Sequence, residues 1–403
     1  MPSGLLANIY KKKHLLDSMS AREAVSAESA LFYELITLHL MGKASQVLRI
    51  LEKTCGDVLY IDPVAAASGM YKKHQISELD KIRCVAILLE NCGKYKEALK
   101  IFEHINSNMK HDTRIEIAKC YMKLGSIEKA VEILKTIRRK SSEVYIALGK
   151  ASISDSFKHK TDDHDSFRAK IAAAEDHFSK ALQQELKNSS RKMQSLQQSF
   201  DNRFAAACPE ERLHMITDDT PETMAILNVL GMTYMRYDDA LGYKLAELHL
   251  LKAYEIGVNL YGRQSAVPSV AAILSSLGEN YCGCGQYDNA IKYLESAIAM
   301  SQISSGSIDG IFIAYNMTLL GDSYREIGQY KSAAKNYYRA LSRCRKQGLQ
   351  SFTTDIFGAL CGLYSYAGYV YQSIEFGNRY LKYLRAETPG RDIANTCSQI
   401  LWI

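Results

Sequence analysis

Between Leu277 and Leu341 the apolar, small and polar positions run through the same order twice, 43 residues apart. The first pass has Leu277, Gly278 and Tyr281, then Gly285-Gln286-Tyr287, Ala290 and Ala297. The second has Leu320, Gly321 and Tyr324, then Gly328-Gln329-Tyr330, Ala333 and Ala340. Spacings of three, four and seven line up one face of a helix, and a glycine between two such runs marks where the first helix stops. Each pass predicts a helix–turn–helix. Gly278 and Gly321 are expected where the two helices cross, because a missing Cβ lets backbones approach. Gly285 and Gly328 are expected at a positive φ, Tyr281 and Tyr324 between the helices, and Ala290 and Ala333 where the next repeat nestles in.

The same frame slides along the rest of the chain. One copy holds Val85-Ala86, Gly93, Tyr95, Ala98 and Phe102, and the next Ile117-Ala118, Tyr121, Gly125, Ala130 and Leu134. Leu148-Gly149 opens another, whose second-helix positions Ala174, Phe178 and Ala181 arrive about 13 residues late, after a polar insert at 156–168. Leu230-Gly231 and Tyr234 open a further copy with a long turn over 237–242 before Ala246, Leu250 and Ala253. Degenerate copies start near Leu35, Leu38 and Gly42, and near Leu360, Tyr364 and Gly368. The pattern resembles the L-G-x-x-Y … G-x-Y … A … A signature of tetratricopeptide repeats. That resemblance implies an all-α fold, a TPR-type right-handed superhelical solenoid of antiparallel helix pairs with about eight repeats.

Two regions break the array. Thr54–Glu78, with Asp62-Pro63 and Ser68-Gly69, reads as a connector, and Gln183–Pro221 starts as a polar helix and ends in a stop at Asp218-Asp219-Thr220-Pro221. Thr220 or Asp219 is expected to cap a helix opening at Pro221. The expected organisation is an N-terminal extension (1–27), an N-terminal array (28–188, with inserts 55–78 and 156–168) and a polar helix with linker (189–221). A C-terminal array of long repeats (222–386) and a tail (387–403) follow.

Composition adds little to this picture and removes several alternatives. Six prolines in 403 residues leave helices uninterrupted, and 47% hydrophobic residues suffice for a packed array. The net charge of +6 is spread over Lys11–Lys13, Arg138–Lys140 and Arg343–Lys346, at predicted helix ends or linkers where cations complement the helix dipole. A nucleic-acid groove is therefore not expected. No apolar run reaches the roughly 18 residues of a membrane span, so a cytoplasmic location is expected, with the nucleus as the alternative. Among ten cysteines, Cys84, Cys120 and Cys361 fall within repeat helices and read as reduced core thiols.

Catalytic chemistry has no local signature: no phosphate-binding glycine loop, nucleophile elbow or H-E-x-x-H pair is present. His159, Asp162, Asp163, His164 and Asp165 offer metal-binding groups, but on a polar loop that does not fix their geometry. Cys282 and Cys284 are two positions apart on a helix and point apart. No metal, no cofactor and no catalytic residue are predicted.

Residues 224–345 resemble the long repeats of kinesin light chains, through Leu260-Tyr261-Gly262, Pro268-Ser269-Val270-Ala271 and Leu274-Ser275-Ser276-Leu277-Gly278. In that family, paired asparagines on first helices grip a cargo peptide's backbone. Here Asn228 matches, while Ser275-Ser276 and Thr318-Leu319 replace the other pairs. Residues 30–150 are similar to the opening repeats of the anaphase-promoting complex's seventh subunit, through Met41-Gly42, Val47–Leu51, Gly93-Lys94-Tyr95, Ala98, Ile117–Leu124 and Ala130–Leu134. A chaperone-type carboxylate clamp is not expected, because Glu279 and Asp322 would repel a carboxylate.

The resemblances imply a non-catalytic scaffold or adaptor that holds a peptide or helix of a protein partner, of motor- or cargo-adaptor type. A subunit of a large assembly such as a ubiquitin ligase is the alternative. The expected binding face comprises Asn228, Met232, Met235, Ser275, Glu279, Cys282, Thr318, Asp322 and Arg325, spaced by helical turns on first helices. The tail ends in Leu401-Trp402-Ile403, expected to cover the last repeat's exposed face, with a role as a ligand for another protein's groove as the alternative.

Overall fold

The computed structural model describes residue 35 and residues 44–69, 78–109, 112–138, 140–156, 164–189, 203–216, 219–262, 267–303, 310–347 and 350–387. Every regular element among them is helical, as the sequence pattern predicts. The chain forms two compact units, one ending at Phe204 and the other starting at Ala205.

The first unit opens with α1 (Ala44–Cys55), α2 (Val58–Ile61) and α3 (Pro63–Gly69). Three pairs follow: α4 (Glu78–Asn91) with α5 (Tyr95–Asn108), α6 (Arg114–Lys123) with α7 (Ile127–Thr136), and α8 (Ser142–Ser156) with α9 (His164–Ser189). The stretch predicted as a connector at 54–78 is thus largely helical as far as Gly69. Pro63 does not break structure there; it opens α3, and the Asp62 carboxylate accepts from the Ala65 N–H at 3.1 Å in the manner of an N-cap. The polar insert is also shorter than expected, because His164 and Asp165 already belong to α9. Gln183–Ser189 continue α9, so no separate polar helix starts there. His159, Asp162 and Asp163 lie outside the described residues, as do Leu38, Gly42 and the tail from 388.

The second unit contains a short α10 (Pro209–Leu213) and four pairs. These are α11 (Pro221–Tyr234) with α12 (Ala240–Tyr261), α13 (Pro268–Gly283) with α14 (Tyr287–Ile303), α15 (Gly310–Glu326) with α16 (Tyr330–Gln347), and α17 (Gln350–Tyr366) with α18 (Val370–Glu387). Thr220 caps α11, its hydroxyl accepting from Thr223 N–H at 3.0 Å, while Asp219 instead accepts from Asn259 Nδ2 at 2.8 Å on α12.

One contact recurs in both units. A Cβ placed on Gly278 would lie 2.5 Å from Leu294 Cγ, and one on Gly321 would lie 2.6 Å from Tyr337 Cε1. Gly231 meets Leu250 and Gly149 meets Phe178 at 2.6 Å in the same way. Sixteen residues separate the partners in the first two pairs, 19 in the third and 29 in the fourth. The longer turn and the insert are therefore looped out, and the crossing is kept. First helices stop in a shared turn: Gln286 N–H donates to Tyr281 O and Gln329 N–H to Tyr324 O, both at 2.8 Å. Gly285 and Gly328 take φ of 73° and 76° to close it. Pair α11–α12 uses Asp238 at φ 53° instead, and Asp239 caps α12 by accepting from Gly242 N–H at 2.7 Å.

The core follows the predicted stripes. Ala98, Ile101, Phe102 and Ile105 of α5 are fully buried, as are Ala290, Leu294 and Ala297 of α14. Cys84, Cys120 and Cys361 are buried thiols. The first-helix tyrosines reach across to the preceding pair. Tyr281 stacks on Tyr293 of its own pair with centroids 5.3 Å apart, and its hydroxyl donates to Glu247 of α12 at 2.7 Å. Tyr324 donates to Glu295 of α14 at 2.9 Å and Tyr121 to Glu103 of α5 at 3.1 Å.

Candidate functional site

In the second unit, successive first helices α11, α13, α15 and α17 touch one another in turn, and residues at equivalent register on them are expected to form one face. The sequence sets that face by register. Counting from the crossing glycines Gly231, Gly278 and Gly321, the residues at −3, +1 and +4 are the nine expected on it: Asn228, Met232 and Met235, then Ser275, Glu279 and Cys282, then Thr318, Asp322 and Arg325.

Five of these nine line a single cleft of about 410 Å³: Met235, Glu279, Cys282, Asp322 and Arg325. Arg236, Tyr243, Gly283, Tyr287, Leu319, Ser323 and Glu326 complete its wall. The other four are placed differently. Ser275 is buried at 5% exposure and presents almost no surface, which corrects its expected place on an open face. The Thr318 hydroxyl donates to Ala314 O at 3.0 Å, satisfying it within α15. Asn228 and Met232 are half-buried, with Asn228 Nδ2 4.0 Å from Met232 Sδ; Asn228 Oδ1 is buried without a hydrogen-bond partner. Met235 lies in the 3-10 turn Met235–Tyr237 that follows α11, rather than on the first helix itself.

A polar network organises the cleft floor. Asp322 accepts from the Tyr337 hydroxyl at 2.6 Å and lies 3.4 Å from Arg325 Nη1. Arg325 donates through Nη2 and Nε to Glu326 at 2.8 and 3.1 Å, and its guanidinium sits 5.6 Å from the centre of the Tyr366 ring. Burial raises the Asp322 carboxyl above its ordinary value, and the Tyr337 hydrogen bond and Arg325 offset only part of that rise. Cys282 Sγ is 3.1 Å from Ser323 Oγ, and burial pushes the thiol up to about 11. It stays protonated at neutral pH, which suits neither a nucleophile nor a metal ligand. Burial, then its hydrogen bond to Asp238, pushes Tyr243 up to about 12.

Formal charge in the cleft is carried by Glu279, Asp322 and Glu326 against Arg236 and Arg325. Three carboxylates against two guanidinium groups leave the cleft with one net negative charge, and Met235 adds a thioether to its wall. Sequence register found the residues on first helices. It missed Tyr243, which arrives from α12 beyond the long turn, and Glu326, one place past Arg325. Tyr287 carried a signal in the Gly-Gln-Tyr turn that the pattern itself repeats. Among the described residues no group of three or more His, Cys, Asp or Glu could hold a metal ion, and no helix is long and apolar enough to cross a membrane.

Comparison with known proteins agrees with this architecture. Two tetratricopeptide repeat family models match, over residues 92–151 and 269–346. The chain carries tetratricopeptide repeats. No curated protein sequence matches it. The Cut9 structure from the APC/C Cut9–Hcn1 hetero-tetramer is similar over 98% of this chain and 58% of that chain, at 15% identity and a TM-score of 0.53. That likeness is one of fold. A Rap protein complexed with Competence and Sporulation Factor aligns over 77% of each chain at 14% identity, with a TM-score of 0.48. Kinesin light chain-type TPR-like repeats from Podospora anserina align over 58% of this chain and 95% of that one, at 16% identity and a TM-score of 0.35.

Proposed function

We propose that this protein is a non-catalytic scaffold whose second unit holds a segment of a protein partner against its first-helix face. The observation that carries the reading is the cleft, where Met235, Glu279, Cys282, Asp322 and Arg325 from three successive repeats converge. Stacked repeats of this class serve generally as protein-interaction surfaces, and a wall of methionine and carboxylates suits a peptide with apolar and cationic side chains. A motor- or cargo-adaptor role and membership of a large assembly would both use this face. The resemblance of residues 224–345 to kinesin light chains favours the former.

Selection of a random displayed peptide library on the full chain tests the proposal. Peptides with basic and apolar positions are expected, and Glu279→Gln with Glu326→Gln, which keep a hydrogen-bond acceptor at each position, should weaken their binding while leaving helicity unchanged. Asp322 is a poorer target, because its bond to Tyr337 ties it to packing. Selected peptides that bind this double variant as well as the parent would sink the assignment.

A further inference from the structure

One second helix of the second unit differs from its neighbours in charge. α16 carries Lys331, Lys335, Arg339, Arg343, Arg345 and Lys346 and no carboxylate. The second helices on either side mix signs: α14 has Asp288, Lys292 and Glu295, and α18 opens with Glu375 ahead of Arg379 and Lys382. Lys331, Lys335 and Arg339 follow at intervals of four and so lie along one side of α16, together with Tyr338 and Ser342. All of these are exposed, as is Arg345. Among the described residues none of Lys331, Lys335, Arg339, Arg343 and Arg345 takes part in an ion pair. Glu375 of α18, whose charge reaches Tyr338, is held by Arg379 at 2.5 Å. A row of like charges of this kind gives the surface a positive potential.

An apolar patch adjoins the row. The Tyr338 ring lies edge-on to Phe376 of α18 with centroids 6.2 Å apart, and its hydroxyl is 3.0 Å from that of Tyr364, so α16 and α18 meet there. At the start of α18, Val370, Tyr371 and Ile374 are 67%, 80% and 59% exposed. Tyr371 stands three residues past the turn glycine Gly368, the place that Lys331 holds after Gly328. Cations and open apolar side chains together select the ligand. A nucleic-acid strand gains nothing from Val370 and Ile374, and it needs free rings for base stacking, whereas the Tyr338 ring is packed. An anionic lipid surface uses both features: its headgroups meet the cations, and its interfacial layer takes up aliphatic and tyrosine side chains. The outside of a helix is also a ridge, which suits a broad surface better than a ligand that needs walls.

We propose that α16 and the start of α18 form a peripheral docking surface for an anionic lipid membrane. Lys331, Lys335 and Arg339 lie against the headgroups, and Val370, Tyr371 and Ile374 enter the interface. This surface shares no residue with the cleft between first helices.

Sedimentation of the full chain with lipid vesicles tests this. The probes are vesicles of phosphatidylcholine alone and of phosphatidylcholine with phosphatidylserine. The chain should sediment with the serine-containing vesicles at low salt, come off as salt rises and stay in solution with phosphatidylcholine alone. Lys331→Glu with Lys335→Glu and Arg339→Glu should weaken binding by at least roughly tenfold. Lys96→Glu with Lys100→Glu, which reverses exposed cations at the same distances past the turn glycine Gly93 on α5, should not. Val370→Ser with Ile374→Ser should weaken it by roughly threefold or more. Should the triple reversal lose helicity, the three glutamine substitutions are read instead, with the same direction expected. A single-stranded oligonucleotide of the same total charge as the exposed lipid, added as competitor, should leave most of the chain on the vesicles. No sedimentation at low salt, equal sedimentation with both vesicles, indifference to the α16 or the α18 substitutions, or complete displacement by the oligonucleotide would each overturn the proposal.

Discussion

Individual side chains decide this structure where they have no room to move. Gly278 is the clearest case, since any Cβ there would stand 2.5 Å from Leu294 Cγ. Gly278→Val should lower stability by about 1–3 kcal/mol through overpacking, read as a lower denaturant midpoint. Combined with Leu294→Ala, it should cost less than the sum of the two single losses, because the two substitutions share one contact. A midpoint unchanged by Gly278→Val would mean that the helices do not cross there. His249 gives a second test. It is 2% exposed, with Nδ1 2.8 Å from Leu245 O, and burial lowers its pKa to about 4. The unfolded ring titrates near 6.5. Between those values the unfolded chain binds a proton that the folded chain refuses, so stability falls as pH drops through this window and is independent of this group above it. The full loss is about 3 kcal/mol. His249→Gln should flatten the slope between pH 6.5 and 4; an equally steep slope in the variant would show that His249 is not held neutral.

Elements are joined by contacts of a different kind. Tyrosines on α6, α13 and α15 each donate to a glutamate on the second helix of the preceding pair. Tyr281→Phe should cost about 0.5–1.5 kcal/mol, and Tyr324→Phe less, since its bond to Glu295 is exposed and competes with water. Equal melting temperatures for both variants and the parent would show that these bonds do not latch the pairs together. The crossing glycines, the turn glycines and the Thr220 cap could all be read in the sequence, because each depends on residues at fixed local offsets. The tyrosine latches could not. Their partners lie 18, 34 and 29 residues back, a distance that changes with every turn and insert. Likewise Asp62-Pro63 looked like a break because the same dipeptide serves turns and helix starts alike. The candidate cleft was half legible for the same reason. Register named Glu279, Asp322 and Arg325, whereas Tyr243 enters over a long turn and Ser275 sinks into the core, which register alone cannot show.

At the scale of the whole chain, helix pairs repeat while their surface chemistry does not. The second unit gathers three carboxylates, two arginines and Met235 around its cleft, in a chain whose net charge is +6. At the last pair, Tyr366, Tyr369, Val370, Tyr371 and Ile374 are exposed. A partner segment lying along the second unit's first-helix face would make itself felt first at the cleft wall. A methyl spectrum of the full chain labelled at methionine, titrated with a peptide selected for binding, reads that wall directly. The Met235 methyl should shift progressively and Met232 with it, while Met122 of the first unit stays in place. A peptide that binds while Met235 remains unmoved would contradict the proposed binding face.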